Sequence, residues 1–90
     1  MKFEVIPTNR FLKQVKRLLK KHNSLKEDLL NLETSLVDNP FQGTEIGSNV
    51  YKIRLNIKSK GSGKSGGARV ITFVVTKEKE VYLMNIYDKS

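Results

Sequence analysis

The chain has 90 residues, no cysteine, no tryptophan and a formal charge of +8. That length makes one domain, residues 1–90, with a modest core, and the absence of cysteine excludes a disulfide framework and any thiolate metal site. The opening MKFEVIPTNR lacks the apolar core of a signal peptide, and no apolar run approaches bilayer length, so a soluble cytoplasmic protein with no membrane partner is expected.

Lys2–Ile6 alternates as a short strand with Phe3 and Val5 on one face. Pro7 stops it, and Thr8 or Asn9 is placed to cap a helix. Phe11, Leu12, Val15, Leu18 and Leu19 then form one apolar stripe, with basic residues opposite, and His22-Asn23 ends the helix. Ser24-Leu-Lys-Glu27 reads as a capping box for a second helix, lined by Leu25, Leu29, Leu32 and Leu36 and closed by Asp38-Asn39-Pro40. Residues 41–49 read as an irregular connection.

Tyr51, Ile53, Leu55 and Ile57 alternate with Lys52, Arg54, Asn56 and Lys58, giving a strand with one apolar and one cationic face. Ser59–Arg69, SKGSGKSGGAR, is a cationic glycine-rich loop. Ala68–Thr76 is almost continuously apolar, as in a strand buried on both sides. A polar turn, Lys77–Glu80, leads to a last strand, Val81–Tyr87. The order β-α-α-β-β-β indicates an α+β domain: an antiparallel sheet with a helical hairpin on one face.

Charge is segregated along this order. No acid falls from Val5 to Lys26 or from Ile46 to Lys77, against fourteen lysines and arginines in those two stretches, including Lys13, Lys16, Arg17, Lys20, Lys52, Arg54, Lys58, Lys60, Lys64 and Arg69. A polyanionic partner is expected. A nucleotide-binding P-loop is excluded, although Gly63-Lys64-Ser65 resembles the end of one. Position 58, where the motif needs glycine, is Lys58, and a β-branched run comes next instead of a helix. Period two puts Lys52 and Arg54 on one face about 7 Å apart, with Arg69 opening the neighbouring strand. Three convergent cations repel one another unless a phosphate sits between them.

The element order, the strand Val50-Tyr-Lys-Ile-Arg-Leu55, the segment Gly63-Lys-Ser-Gly-Gly-Ala-Arg-Val-Ile71 and the last strand together resemble the RelE/ParE superfamily of bacterial toxins, in its RelE/HigB-like branch. The resemblance covers essentially the whole chain. It implies a type II toxin that cuts messenger RNA in the ribosomal A site, inhibits translation and is neutralised by a cognate antitoxin. Lys52, Arg54 and Arg69 occupy the family's cation positions, and Lys89 that of a basic residue after the last strand. Many members add a C-terminal segment with a further, often aromatic, residue on the catalytic side. The sequence ends at Ser90, so either that segment is absent or Tyr87 serves; as a residue type Tyr87 reads first as a packed strand aromatic.

Metal-free RNA cleavage by a 2′-hydroxyl needs a base, charge stabilisation at phosphorus and an acid for the leaving oxygen. The lone histidine, His22, reads as a helix-end residue, and Asp88 and Glu45 are isolated carboxylates, so no metal site or cofactor is expected. Lys52 is the candidate base, because neighbouring cations disfavour its charged form. Arg54 clamps the phosphate, Arg69 meets the transition-state charge, and Lys89 or Tyr87 supplies the leaving-group proton. Lys58, Lys60, Lys64, Lys13, Lys16, Arg17 and Lys20 form the expected RNA- or ribosome-binding set. The competing readings are a ParE-like gyrase inhibitor and a non-catalytic RNA-binding module.

Overall fold

The computed structural model describes residues 2–60 and 67–88. Its elements are β1 (Glu4–Pro7), α1 (Asn9–Leu19), α2 (Leu25–Asp38), β2 (Thr44–Gly47), β3 (Val50–Leu55), a single 3-10 turn (Lys58–Lys60), β4 (Ala68–Val75) and β5 (Glu80–Asp88). The five strands form one sheet in the order β1-β5-β4-β3-β2. The α+β class and the two helices on one face agree with the sequence pattern. Two details differ. β1 runs parallel to β5. Part of the expected irregular connection is β2, hairpin-paired with β3. All four residues of β2 are exposed, so it has no apolar face to reveal it in the sequence.

The core lies between the helices and one sheet face. Phe11 of α1 and Leu25, Leu29, Leu32 and Leu36 of α2 meet Ile53, Leu55, Val70, Val74, Val81, Leu83 and Ile86. Full burial of each such side chain contributes about 1.5–3 kcal/mol. Among the described residues the opposite sheet face carries no layer. β4 therefore alternates, with Ala68, Val70, Thr72 and Val74 buried and Arg69, Ile71, Phe73 and Val75 only partly covered or exposed. The expectation of a strand buried on both sides is thus corrected: an unbroken apolar run here serves a one-sided sheet.

Two expectations about helix ends also change. α1 stops at Leu19, before His22. Ser24 makes no side-chain cap bond to α2. Its hydroxyl instead donates to Asp28 Oδ2 (2.8 Å) and accepts from the Ser59 amide (2.8 Å). Buried Asp28 also accepts the Lys58 amide at 3.2 Å. The residues that look like a capping box thus tie α2 to the 3-10 turn that precedes residues 61–66. A buried carboxylate is tolerated because backbone and hydroxyl donors satisfy it.

A β-bulge in β5 decides which side chains reach the open face. Ile71 pairs with Asn85 but Thr72 pairs with Leu83, so Met84 has no partner across the ladder. One extra residue reverses the facing of every later residue in the strand. Val81 and Leu83 point into the core, whereas Asn85 and Tyr87 are directed to the open face and Ile86 into the core.

Beyond Leu83, β5 has no described strand on its outer side, because β1 ends at Pro7. Thr8 and Gln14 replace it. The Thr8 amide and hydroxyl donate to Leu83 O (3.0 and 2.9 Å), the hydroxyl also reaches Met84 O (3.4 Å), and Gln14 Oε1 accepts the Ile86 amide (2.8 Å). Thr8 is simultaneously the N-cap of α1, accepting the Phe11 amide at 3.3 Å. Thr8→Ala should therefore cost about 1–2 kcal/mol in urea denaturation, and Thr8→Ser should recover most of it. Equal stability of Thr8→Ala and the parent would contradict this double role.

Candidate phosphate-binding site

Each of the three expected cations is placed by strand pairing. Arg54 stands opposite Arg69, and Lys52 opposite Ile71, across the β3–β4 ladder. Because Lys52 and Arg54 alternate with buried Ile53 and Leu55, all three basic side chains rise from the open face. They line one recess of about 210 Å³ together with Gly43 and Thr44. Arg69 is anchored by a bond from its guanidinium to Ala68 O at 3.3 Å. Among the described residues none of the three has a carboxylate partner, the ion pairs being Lys2–Asp38 and His22–Asp88. Like charges placed opposite each other on a sheet are unfavourable, and an anion shared between them removes that penalty.

Gly43 and Thr44 belong to the part of the chain where no site residue was expected. Gly43 has φ +93°, and a Cβ there would lie 2.4 Å from Lys52 O. Only glycine lets the chain approach β3 this closely and form the recess wall. Gly67 has the same constraint, with φ +81° and a Cβ 2.3 Å from Leu55 O. This glycine of the Ser59–Arg69 segment thus sets a fixed geometry beside β3.

The bulge brings Tyr87 opposite Arg69, so Arg54, Arg69 and Tyr87 form one row across three strands. Tyr87 is 44% exposed. The reading of Tyr87 as a packed aromatic is corrected, and the cause is the parity change at Met84. A second recess joins Tyr87 and Ile86 to Gln14, Arg17 and Leu18 of α1, so Arg17 extends the cationic row round the β5 edge. Lys13, Lys16 and Lys20 belong to the helix layer, on the other side of the sheet from the triad. Lys58 is exposed just after β3. Lys60 is placed by its backbone at the end of the 3-10 turn, and Lys64 and Lys89 lie outside the described residues.

His22 is on the helix side, its Nε2 3.2 Å from Asp88 Oδ2, and is not brought to the triad. The far end of the open face is acidic. Glu4 pairs with Glu80, and the Tyr82 hydroxyl donates to Glu80 Oε1 at 2.7 Å, a bond that raises the phenol above its ordinary value. The face is polarised, with Lys52, Arg54 and Arg69 at its cationic end. A different kind of depression, apolar and between the helices, is lined by Phe11, Leu12, Val15, Leu29, Leu30 and Glu33, among others. Burial there pushes the Glu33 carboxyl up.

A small α+β domain thus presents three basic side chains on an open sheet face, with no carboxylate partner among the described residues. Residues 6–90 match the family model of the RelE toxin of the RelE/RelB toxin–antitoxin system, and the chain belongs to that family of toxins. Among solved structures, the isolated E. coli RelE toxin is similar at a TM-score of 0.74 and 19% identity, over 98% of this chain and 85% of that one. A chain of the intact E. coli RelBE toxin–antitoxin complex gives 0.73 and 19% identity, over 98% of both chains. A mutant E. coli RelE bound to an antitoxin RelB peptide gives 0.70 and 19%, over 100% of this chain and 85% of that one. These structural likenesses extend to the fold. No helix among the described residues is long and apolar enough to cross a membrane.

Proposed function

We propose that this type II toxin is a ribosome-dependent endoribonuclease acting on messenger RNA in the cytoplasm. The observation that supports the reading is the recess in which Lys52, Arg54 and Arg69 converge with no carboxylate partner among the described residues. In this reaction the 2′-hydroxyl attacks the adjacent phosphorus and the 5′-oxygen leaves. The products are a 2′,3′-cyclic phosphate and a 5′-hydroxyl. Lys52 takes the 2′ proton, Arg54 grips the non-bridging oxygens in its planar fork, and Arg69 offsets the charge that grows at phosphorus. The leaving oxygen takes its proton from Tyr87, which stands beside Arg69, or from Lys89.

No metal takes part in this scheme. The site is stronger in charge stabilisation than in proton transfer, so the ribosome is assigned the task of bending the message into line for attack. Convergence on one small recess favours a phosphate ligand over the broad protein contact needed to inhibit gyrase. The E. coli relative is seen in complex with its antitoxin, and by that likeness a cognate antitoxin is assigned here as the neutralising partner. Purified protein should cut message on programmed ribosomes and leave the same RNA almost intact when free, read by primer extension. Equal cleavage of free RNA overturns the ribosome dependence, and no cleavage in either setting overturns the nuclease reading.

A further inference from the structure

We infer that Asn85, with Ile71 as its floor, forms a nucleobase-reading position beside the phosphate recess, and that this chain therefore selects its cleavage sites by base identity. The inference rests on the proposed RNA-cleaving function and adds a specificity residue to it. Three observations converge. The first is the bulge at Met84. Without it, alternation from Val81 and Leu83 would carry Asn85 to the core face; with it, Asn85 stands opposite Ile71 on the open face. Bulges that re-aim a side chain recur next to functional sites, and this one is held from outside by Thr8.

The second observation is chemical. The Asn85 side-chain amide has no hydrogen bond to any described residue, although the residue is only partly exposed. Its oxygen and nitrogen offer an acceptor and a donor side by side, the pattern with which amides read base edges. An unstacked single-stranded base is the form in which RNA sequence is read. The third observation is position. Lys52, Ile71 and Asn85 form one row across β3, β4 and β5, next to the row Arg54, Arg69 and Tyr87. Asn85 is the diagonal neighbour of Arg69, about 7–8 Å away between backbones. A nucleotide whose phosphate lies on Arg69 thus lays its base over Ile71, between the Asn85 amide and the Tyr87 ring. Ile71 supplies apolar contact and Asn85 supplies the edge contacts.

The test compares the distribution of cleavage sites on ribosome-bound messages of mixed sequence, mapped by sequencing the new 5′ ends. The parent should favour particular bases at one position next to the cut. Asn85→Ala should flatten that bias by of the order of tenfold, whatever happens to the total rate. Asn85→Asp, which only accepts, should move the bias towards bases presenting a donor. The urea midpoint of each variant separates loss of fold from loss of reading. A parent that cuts with no base bias, or an Asn85→Ala variant that cuts with the parental bias, overturns the inference and leaves the nuclease reading standing. A parent that cuts nothing overturns both.

Discussion

Arg69→Ala should lower message cleavage on ribosomes by at least about 10²-fold, the scale on which one preorganised charge-stabilising donor acts, and should abolish growth arrest. Its fold should survive. Arg69 lies only partly covered on the open face, and its guanidinium bonds to its neighbour's carbonyl. Removing one of two like charges placed opposite each other should leave the urea midpoint unchanged or slightly higher. Arg69→Lys keeps the charge but loses the planar fork, so only part of the rate should return. Full activity of Arg69→Ala would move the chemistry away from this recess, whereas loss of activity together with unfolding would leave Arg69 a structural residue.

Gly43→Ala should produce the opposite combination, a loss of stability and activity together. Left-handed backbone at a non-glycine residue costs about 1–3 kcal/mol. Here the new methyl would also meet Lys52 O at 2.4 Å and Ile53 Cγ1 at 2.9 Å, so the total should exceed that range. β2 must shift to accommodate it, and the recess wall moves with β2. Gly47→Ala is the matched control. It lies at the other end of the adjoining strand, has no left-handed backbone, and its Cβ would find nothing nearer than Val50 Cβ at 3.8 Å. Chemical denaturation and ribosome cleavage on both variants decide the matter, and equal behaviour of the two would remove Gly43 from the site.

Much of this arrangement is legible in residue order. The leucines of α2 fall at helical spacing, and Leu25, Leu29, Leu32 and Leu36 are all buried. Alternation in β3 puts Lys52 and Arg54 on one face, and the segregation of charge marks that face as the one suited to a polyanion. What escapes are features set by pairing between distant segments. β2 is invisible because a strand exposed along its whole length has no apolar period. Ser24 and Glu27 have the spacing of a capping box, yet Asp28 and Ser59 draw the Ser24 hydroxyl away from the helix end. The apolar run of β4 does not reveal that one side lacks a cover. Tyr87 and Asn85 are the most instructive. Simple alternation along β5 assigns both to the core, and the extra residue at Met84 is seen only when the strand is matched to β4. The local hint was a polar Asn85 at a position that strict alternation would bury.

Thr8 and Leu83 are 75 residues apart in sequence, and that separation sets an order in time. β5 leaves the ribosome after every other described element, and the bulge that turns Asn85 and Tyr87 towards the cations is secured by a threonine that precedes both helices. Contacts of such long sequence range form late. Lys52, Arg54 and Arg69 can be aligned by the β3–β4 hairpin while β5 is still within the exit tunnel, but the row that ends at Tyr87 cannot. On the proposed function, a protein that attacks translation completes its own working surface only once all five strands have cleared the ribosome that makes it.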